Sequence, residues 1–263
     1  MFTIAAYSLG GLGLIFALSL GIASRIFHME IDPRIEEAME ALPGANCGAC
    51  GFAGCKGYAE AVIKDPEVVP NLCAPGEEEI AKALAKISGK EAGAGDKKRA
   101  IICCAGGEDK VERTFTYEGI LDCESAAILY GGNKACKYGC LGYGSCVKAC
   151  LFEAIEMNDI GLPQVDKNKC VGCGKCLDVC PKGVVKLVPV TATVYVACNS
   201  MNKGAQVKKI CAVGCIGCKL CVKACEKEAI SFDNNLASIN YQNCNDCRTC
   251  MEKCKSNSIN VCM

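Results

Sequence analysis

The apolar and polar positions divide the chain into stretches of different period. Residues 2–24, FTIAAYSLGGLGLIFALSLGIAS, carry no charge. As a helix they would extend about 34 Å at 1.5 Å per residue, enough to cross a bilayer core. A cleaved signal peptide would need a positive n-region and a short apolar core. Neither is present, so a membrane anchor helix is expected over 1–28. Arg25 follows the apolar run and no Lys or Arg precedes it, which places the C-terminal bulk on the cytoplasmic side. Gly13, Ala17 and Gly21 fall four apart, a spacing that allows close helix contact in lipid. His28 reads as an interfacial residue. Residues 32–42 predict an amphipathic helix: Asp32 caps, Pro33 suits the first turn, Glu36 and Glu37 favour its positive end, and Ile35, Ala38, Met39 and Leu42 form the stripe. GEEEIAKALAKISG (76–89) predicts another helix. GKEAGAGDKKR (89–99) reads as a linker, its Lys97–Arg99 run as a solvated edge. Beyond it the apolar runs shorten to β-like AIEM (154–157), VVKLV (184–188), AISF (229–232) and SINV (258–261).

Composition changes this picture through one residue type. The chain of 263 residues has 26 Cys, one His and no Trp. The Cys stand mostly two or three residues apart, a rhythm that suits metal ligation better than bridging. Net charge is zero, so there is no broad electrostatic case for nucleic acid. Cys170-Val171-Gly172-Cys173-Gly174-Lys175-Cys176-Leu177-Asp178-Val179-Cys180-Pro181 is a C-x2-C-x2-C-x3-C-P run, the ligand pattern of a bacterial [4Fe–4S] ferredoxin. Cys47, Cys50, Cys55 and the later Cys73 form a separate set of four. Glycines at 48, 51 and 54 let backbone N–H groups approach the cluster sulfurs. Zinc also accepts four thiolates, but the Gly-rich loop and the downstream run favour iron–sulfur.

The rest of the chain is a duplication. GCLGYGSCVKACLFEAIEM (139–157) matches GCIGCKLCVKACEKEAISF (214–232), and 168–187 matches 242–261. In two-cluster ferredoxins the fourth Cys of each run crosses to the other cube. On that rule Cys136, Cys140 and Cys146 join Cys180, and Cys170, Cys173 and Cys176 join Cys150. In the second copy Cys215, Cys218 and Cys221 join Cys254, and Cys244, Cys247 and Cys250 join Cys225. The first run departs from standard spacing and lacks a Cys where the second copy has Cys218. Cys211 aligns with Cys136, so Cys211 is the rival of Cys218 as a ligand. Five [4Fe–4S] clusters are expected. Cys103, Cys104, Cys123, Cys198, Cys211 and Cys262 are left over, either as small buried hydrophobes or, drawing on Cys103 or Cys104 with Cys123, Cys198 and Cys211, as a sixth cluster. The fold class is therefore α+β: a transmembrane helix, a small helical four-Cys domain (29–88), and two tandem ferredoxin-like modules (100–190 and 191–263).

No G-x-G-x-x-G follows a strand; GGLGLIF lies inside the apolar span and AGGED has the wrong spacing. Nothing here offers a nicotinamide site, a flavin attachment or a nucleophile. The uncleaved apolar N-terminus, GANCGACGFAGC, KACKYGCLGYGSCVKAC and CVGCGKCLDVCP together resemble the B subunit of the Rnf complex, most closely its clostridial type. The resemblance implies an iron–sulfur subunit that accepts electrons from soluble reduced ferredoxin. It would relay them to membrane and flavin-bearing partner subunits that reduce NAD and move Na⁺ or H⁺. The rival readings are a subunit of a related membrane redox system feeding a regulator, and a structural Cys-rich zinc module.

Overall fold

The computed structural model describes residues 2–26, 32–76, 78–93, 95 and 97–262, with side chains from Gly10 onward. His28 lies outside the described residues. Helix α1 runs Phe2–Ile26. Its apolar side chains Leu12, Leu14, Ile15, Phe16, Leu18, Leu20 and Ile22 are exposed. Among the described residues no helix is long and apolar enough to cross a membrane, so the expected spanning helix is not supported there.

Three helices make the four-Cys domain: α2 (Pro33–Ala41), α3 (Gly54–Lys64) and α4 (Glu78–Ser88). Asp32 Oδ1 accepts from the Arg34 N–H at 2.9 Å and Pro33 occupies the first turn, as the sequence predicts. Ile35, Ala38, Leu42, Tyr58, Ala59, Val62 and Leu84 form the core, with Cys50, Cys55 and Cys73 packed on it.

Each ferredoxin-like module repeats one plan: an outer strand pair made by its first and last strands, an inner hairpin, and a one-turn helix within each ligand run. In the first, β1 (Lys98–Ile102) pairs with β4 (Val185–Pro189), Ile102 opposite Val185; the hairpin is β2 (Ile155–Met157) with β3 (Pro163–Val165). Helices α5 (Cys123–Ile128), α6 (Ser145–Lys148) and α7 (Lys175–Asp178) complete it. In the second, β5 (Val194–Val196) pairs with β8 (Ile259–Val261), and β6 (Ile230–Asp233) with β7 (Leu236–Ile239); the helices are α8 (Gly204–Ile210), α9 (Leu220–Lys223) and α10 (Thr249–Glu252).

Strand β1 starts inside the stretch read as linker, and Arg99 is buried rather than solvated. It is 7 % exposed and its Nη2 donates to the Ala192 carbonyl at 2.6 Å. Alternation along β1 explains what the strand joins. Ala100 and Ile102 face the first module's core. Ile101 faces the other way and packs with Val188 and Ala192 against Tyr195, Tyr241 and Cys262 of the second module, as the two-residue side-chain period requires. The Ala105 N–H donates to the Ala197 carbonyl at 3.0 Å, which also ties the modules together.

Candidate iron–sulfur sites

In the N-terminal domain a glycine loop carries three of the thiols and the turn ending at Gly76 carries the fourth. Gly48, Gly51 and Gly54 all have positive φ. At Gly54 an added Cβ would lie 2.7 Å from Asn46 Oδ1, the atom that accepts the Cys55 N–H at 2.8 Å; only glycine fits there. Burial, with smaller contributions from Cys55, Cys47 and Cys50, raises the Cys73 thiol to about 11. The four thiols thus share one neighbourhood.

In the first module, Cys170, Cys173 and Cys176 converge with Cys150. Burial first, then Cys170 and Cys173, raise Cys176 to about 12, and Cys173 is raised by burial, Cys47 and Cys150. The other site departs from the expected set. Its hollow, about 370 Å³, is lined by Cys123, Cys140, Cys146 and Cys180. Cys136 instead lines a separate hollow with Cys104, Cys198 and Cys211. The alignment of the two copies supplies the reason. Tyr143 stands where the second copy has Cys218, so the loop lacks a thiol, and Cys123 at the start of α5 takes that place. Ser145 Oγ holds it there by accepting the Cys123 N–H at 2.8 Å.

The second module brings together the sets expected from spacing. Cys215, Cys218, Cys221 and Cys254 line one hollow of about 370 Å³, and Cys225, Cys244, Cys247 and Cys250 line another of about 340 Å³. Cys218, not Cys211, accompanies Cys215. Cys218 and Cys247 are exposed. The Thr249 hydroxyl donates to Cys247 Sγ and lowers that thiol's pKa.

Backbone N–H groups point at several of these sulfurs. Ala154 donates to Cys150 Sγ at 3.3 Å, Ser258 to Cys254 Sγ at 3.2 Å and Ala100 to Cys170 Sγ at 3.4 Å. Such bonds favour the thiolate and raise a cluster's potential. Among the described residues no group of three or more Cys, His, Asp or Glu closes on a single-ion site. Sulfurs on one zinc, with bonds of about 2.3 Å, would lie within roughly 4 Å of each other. Soft thiolate donors in sets of four, met by backbone N–H groups, fit an iron–sulfur cube.

Residues 42–75 match the family model for a putative Fe–S cluster, and residues 135–184 and 214–258 match that for a 4Fe-4S dicluster domain. The chain is 48 % identical to the B subunit of the proton-translocating ferredoxin:NAD(+) oxidoreductase complex of Clostridium ljungdahlii, over 94 % of this chain and 88 % of that one. The chain belongs to this B-subunit family. It is also 43 % identical to the B subunit of the Na(+)-translocating ferredoxin:NAD(+) oxidoreductase complex of Acetobacterium woodii, over 95 % of this chain and 75 % of that one. With the B subunit of the ion-translocating oxidoreductase complex of Methanosarcina acetivorans it shares 40 % identity over 96 % of both. The resemblance to the Rnf complex therefore holds over nearly the whole chain.

Proposed function

We propose that this chain is the iron–sulfur electron-transfer subunit of an ion-translocating ferredoxin:NAD oxidoreductase. It takes electrons from reduced ferredoxin and delivers them to the other membrane and flavin-bearing subunits, in a complex that moves Na⁺ or H⁺. The observation that carries this reading is the grouping of thiols in sets of four, three of them around hollows of 340–370 Å³, along a chain of the B-subunit family. When bound, each cube supplies a one-electron redox couple. The residues that would hold the cubes are Cys47, Cys50, Cys55 and Cys73; Cys123, Cys140, Cys146 and Cys180; Cys150, Cys170, Cys173 and Cys176; Cys215, Cys218, Cys221 and Cys254; and Cys225, Cys244, Cys247 and Cys250. The chain's own part is to supply the thiolates, exclude water from the buried sulfurs and aim N–H dipoles at them.

Helix α1 is the membrane attachment. Support comes from its uncharged sequence through Ser24 and its exposed apolar side chains, which water disfavours by about 25 cal/mol per Å². Arg25 at the end of the run favours a cytoplasmic location for the Cys-bearing domains.

The test is anaerobic mixing with reduced ferredoxin. The reconstituted full chain in detergent should bleach in the visible as ferredoxin is reoxidised. Cys176→Ser should lower iron by about four per chain and slow that oxidation. A colourless preparation, or one that holds zinc in place of iron and sulfide, would sink the reading.

A further inference from the structure

We infer that Cys104, Cys136, Cys198 and Cys211 hold a further [4Fe–4S] cube at the junction of the two modules, with Lys134 as its buried counter-cation. The inference rests on the reading that the other thiol-lined hollows are cube sites, and goes beyond it in number, ligands and place.

The four thiols line a hollow of about 420 Å³, close in size to the 340–370 Å³ of three hollows ringed by ligand-run cysteines. Two come from each module, and the duplication makes them equivalent. Cys104 follows β1 and Cys198 follows β5; Cys136 and Cys211 each stand four residues ahead of the first Cys of the adjoining ligand run. The surroundings repeat as well. The Cys140 N–H donates to Cys104 Sγ at 3.3 Å and the Cys215 N–H donates to Cys198 Sγ at 3.3 Å. Glycine precedes each of these donors. A Cβ on Gly139 would lie 3.5 Å from Cys136 Sγ, and one on Gly214 3.5 Å from Cys211 Sγ. Neither module contains the site alone: each provides half of a two-fold cradle.

Lys134 is the independent observation. It is 1 % exposed, lines this hollow, and donates to the Gly106 carbonyl at 3.1 Å. Among the described residues it makes no ion pair. Burying an ammonium without an ion-pair partner is strongly unfavourable. Four thiolates around an iron–sulfur cube are net negative in both oxidation states and supply that anion. The place of the site has a consequence for the molecule. Cys140 and Cys215 belong to the neighbouring sites on either side, so each N–H···S bond joins a ligand of one site to a ligand of the next. The junction site links the two modules.

The experiment uses the full chain, reconstituted anaerobically, with iron, sulfide and zinc quantified and the reduced protein examined by EPR. About 24 irons per chain are expected. The Cys198→Ala/Cys211→Ala pair should lower iron by about four, and so should Cys221→Ala in a ligand-run site. Should the double variant not fold, Cys136→Ser and Cys211→Ser are milder. They should perturb one and the same EPR signal, distinct from the one that Cys123→Ser perturbs. Lys134→Met should keep all the iron and move the midpoint of the junction signal to more negative potential. Unchanged iron in the Cys198/Cys211 variant beside a loss of about four in Cys221→Ala would overturn the junction site alone. So would zinc lost with those two cysteines, or Cys136→Ser acting on the Cys123 signal. A Lys134→Met protein with every midpoint unmoved would overturn the counter-cation. No iron loss in Cys221→Ala would instead overturn the reading on which the inference rests.

Discussion

At the scale of single residues, the four one-turn helices of the ligand runs show how a duplicated sequence drifts. Each begins after a residue at positive φ: Gly144, Gly174, Lys219 and Arg248. Glycine adopts this conformation without steric cost, whereas an L side chain loses roughly 1–2 kcal/mol there. Arg248 recovers little, since its Nε meets Thr193 Oγ1 at 3.4 Å. Arg248→Gly should therefore raise the stability of the second module by about 1 kcal/mol, read as a higher denaturant midpoint for loss of cluster colour. Lys219 sits over the Phe232 ring at 4.6 Å, an attraction of about 0.5–1 kcal/mol, so Lys219→Gly should be near neutral. The thiols predict a pH effect. Burial raises Cys140 and Cys176 to about 12 and Cys146 and Cys221 to about 11. A group whose folded pKa is raised stabilises the fold below its unfolded value, and that contribution is lost as pH rises towards the folded value. The chain stripped of iron should therefore weaken progressively above about pH 9, measured by denaturant melts across pH. Cluster assembly should release protons, because each ligand binds as thiolate.

At the scale of elements, α1 exposes its apolar side chains whereas the three-helix domain buries its own. The domain has its own core, in which Leu84 is fully buried between α2 and α3 partners. Leu84→Ala should cost about 2–5 kcal/mol, seen as selective loss of the N-terminal iron while the two modules keep theirs. Deleting residues 1–28 removes the exposed apolar side chains of α1 and leaves these cores intact. The truncated chain should be brown and should stay at the bottom of a liposome flotation gradient, whereas the full chain should rise with the vesicles. Rising of the truncated form would show that another surface attaches the protein.

At the scale of the whole molecule the sites form a series. The Cys47 thiol neighbours Cys173, and a Cβ on Gly48 would lie 3.9 Å from Lys175 Nζ. The four-Cys domain thus sits against the Cys150–Cys170–Cys173–Cys176 site of the first module. At the far end of the chain Cys247 is exposed. Two reduced clusters held at these neighbouring sites would couple magnetically. Cys50→Ser in the full chain should lower iron by about four and simplify the EPR signal of the Cys170–Cys176 site. A signal unchanged by that variant would separate the two sites.

Much of this protein is readable from its residues in order, because a [4Fe–4S] cube demands thiolates at short fixed spacing. The runs from Cys170 to Cys180, Cys215 to Cys225 and Cys244 to Cys254, the Asp32–Pro33 helix start and the duplication all follow from local rules of spacing and capping. Local rules misplace Cys136. The cysteines that line its hollow, Cys104, Cys198 and Cys211, lie 32 to 75 positions away in the chain, and the docking of the first module on the second brings those segments together. They also leave Cys123 unassigned, because α5 has to fold back onto Ser145 before that thiol reaches the hollow lined by Cys140, Cys146 and Cys180. Spacing determines which residues can be ligands; the docking of one module on the other decides which ligands share a site.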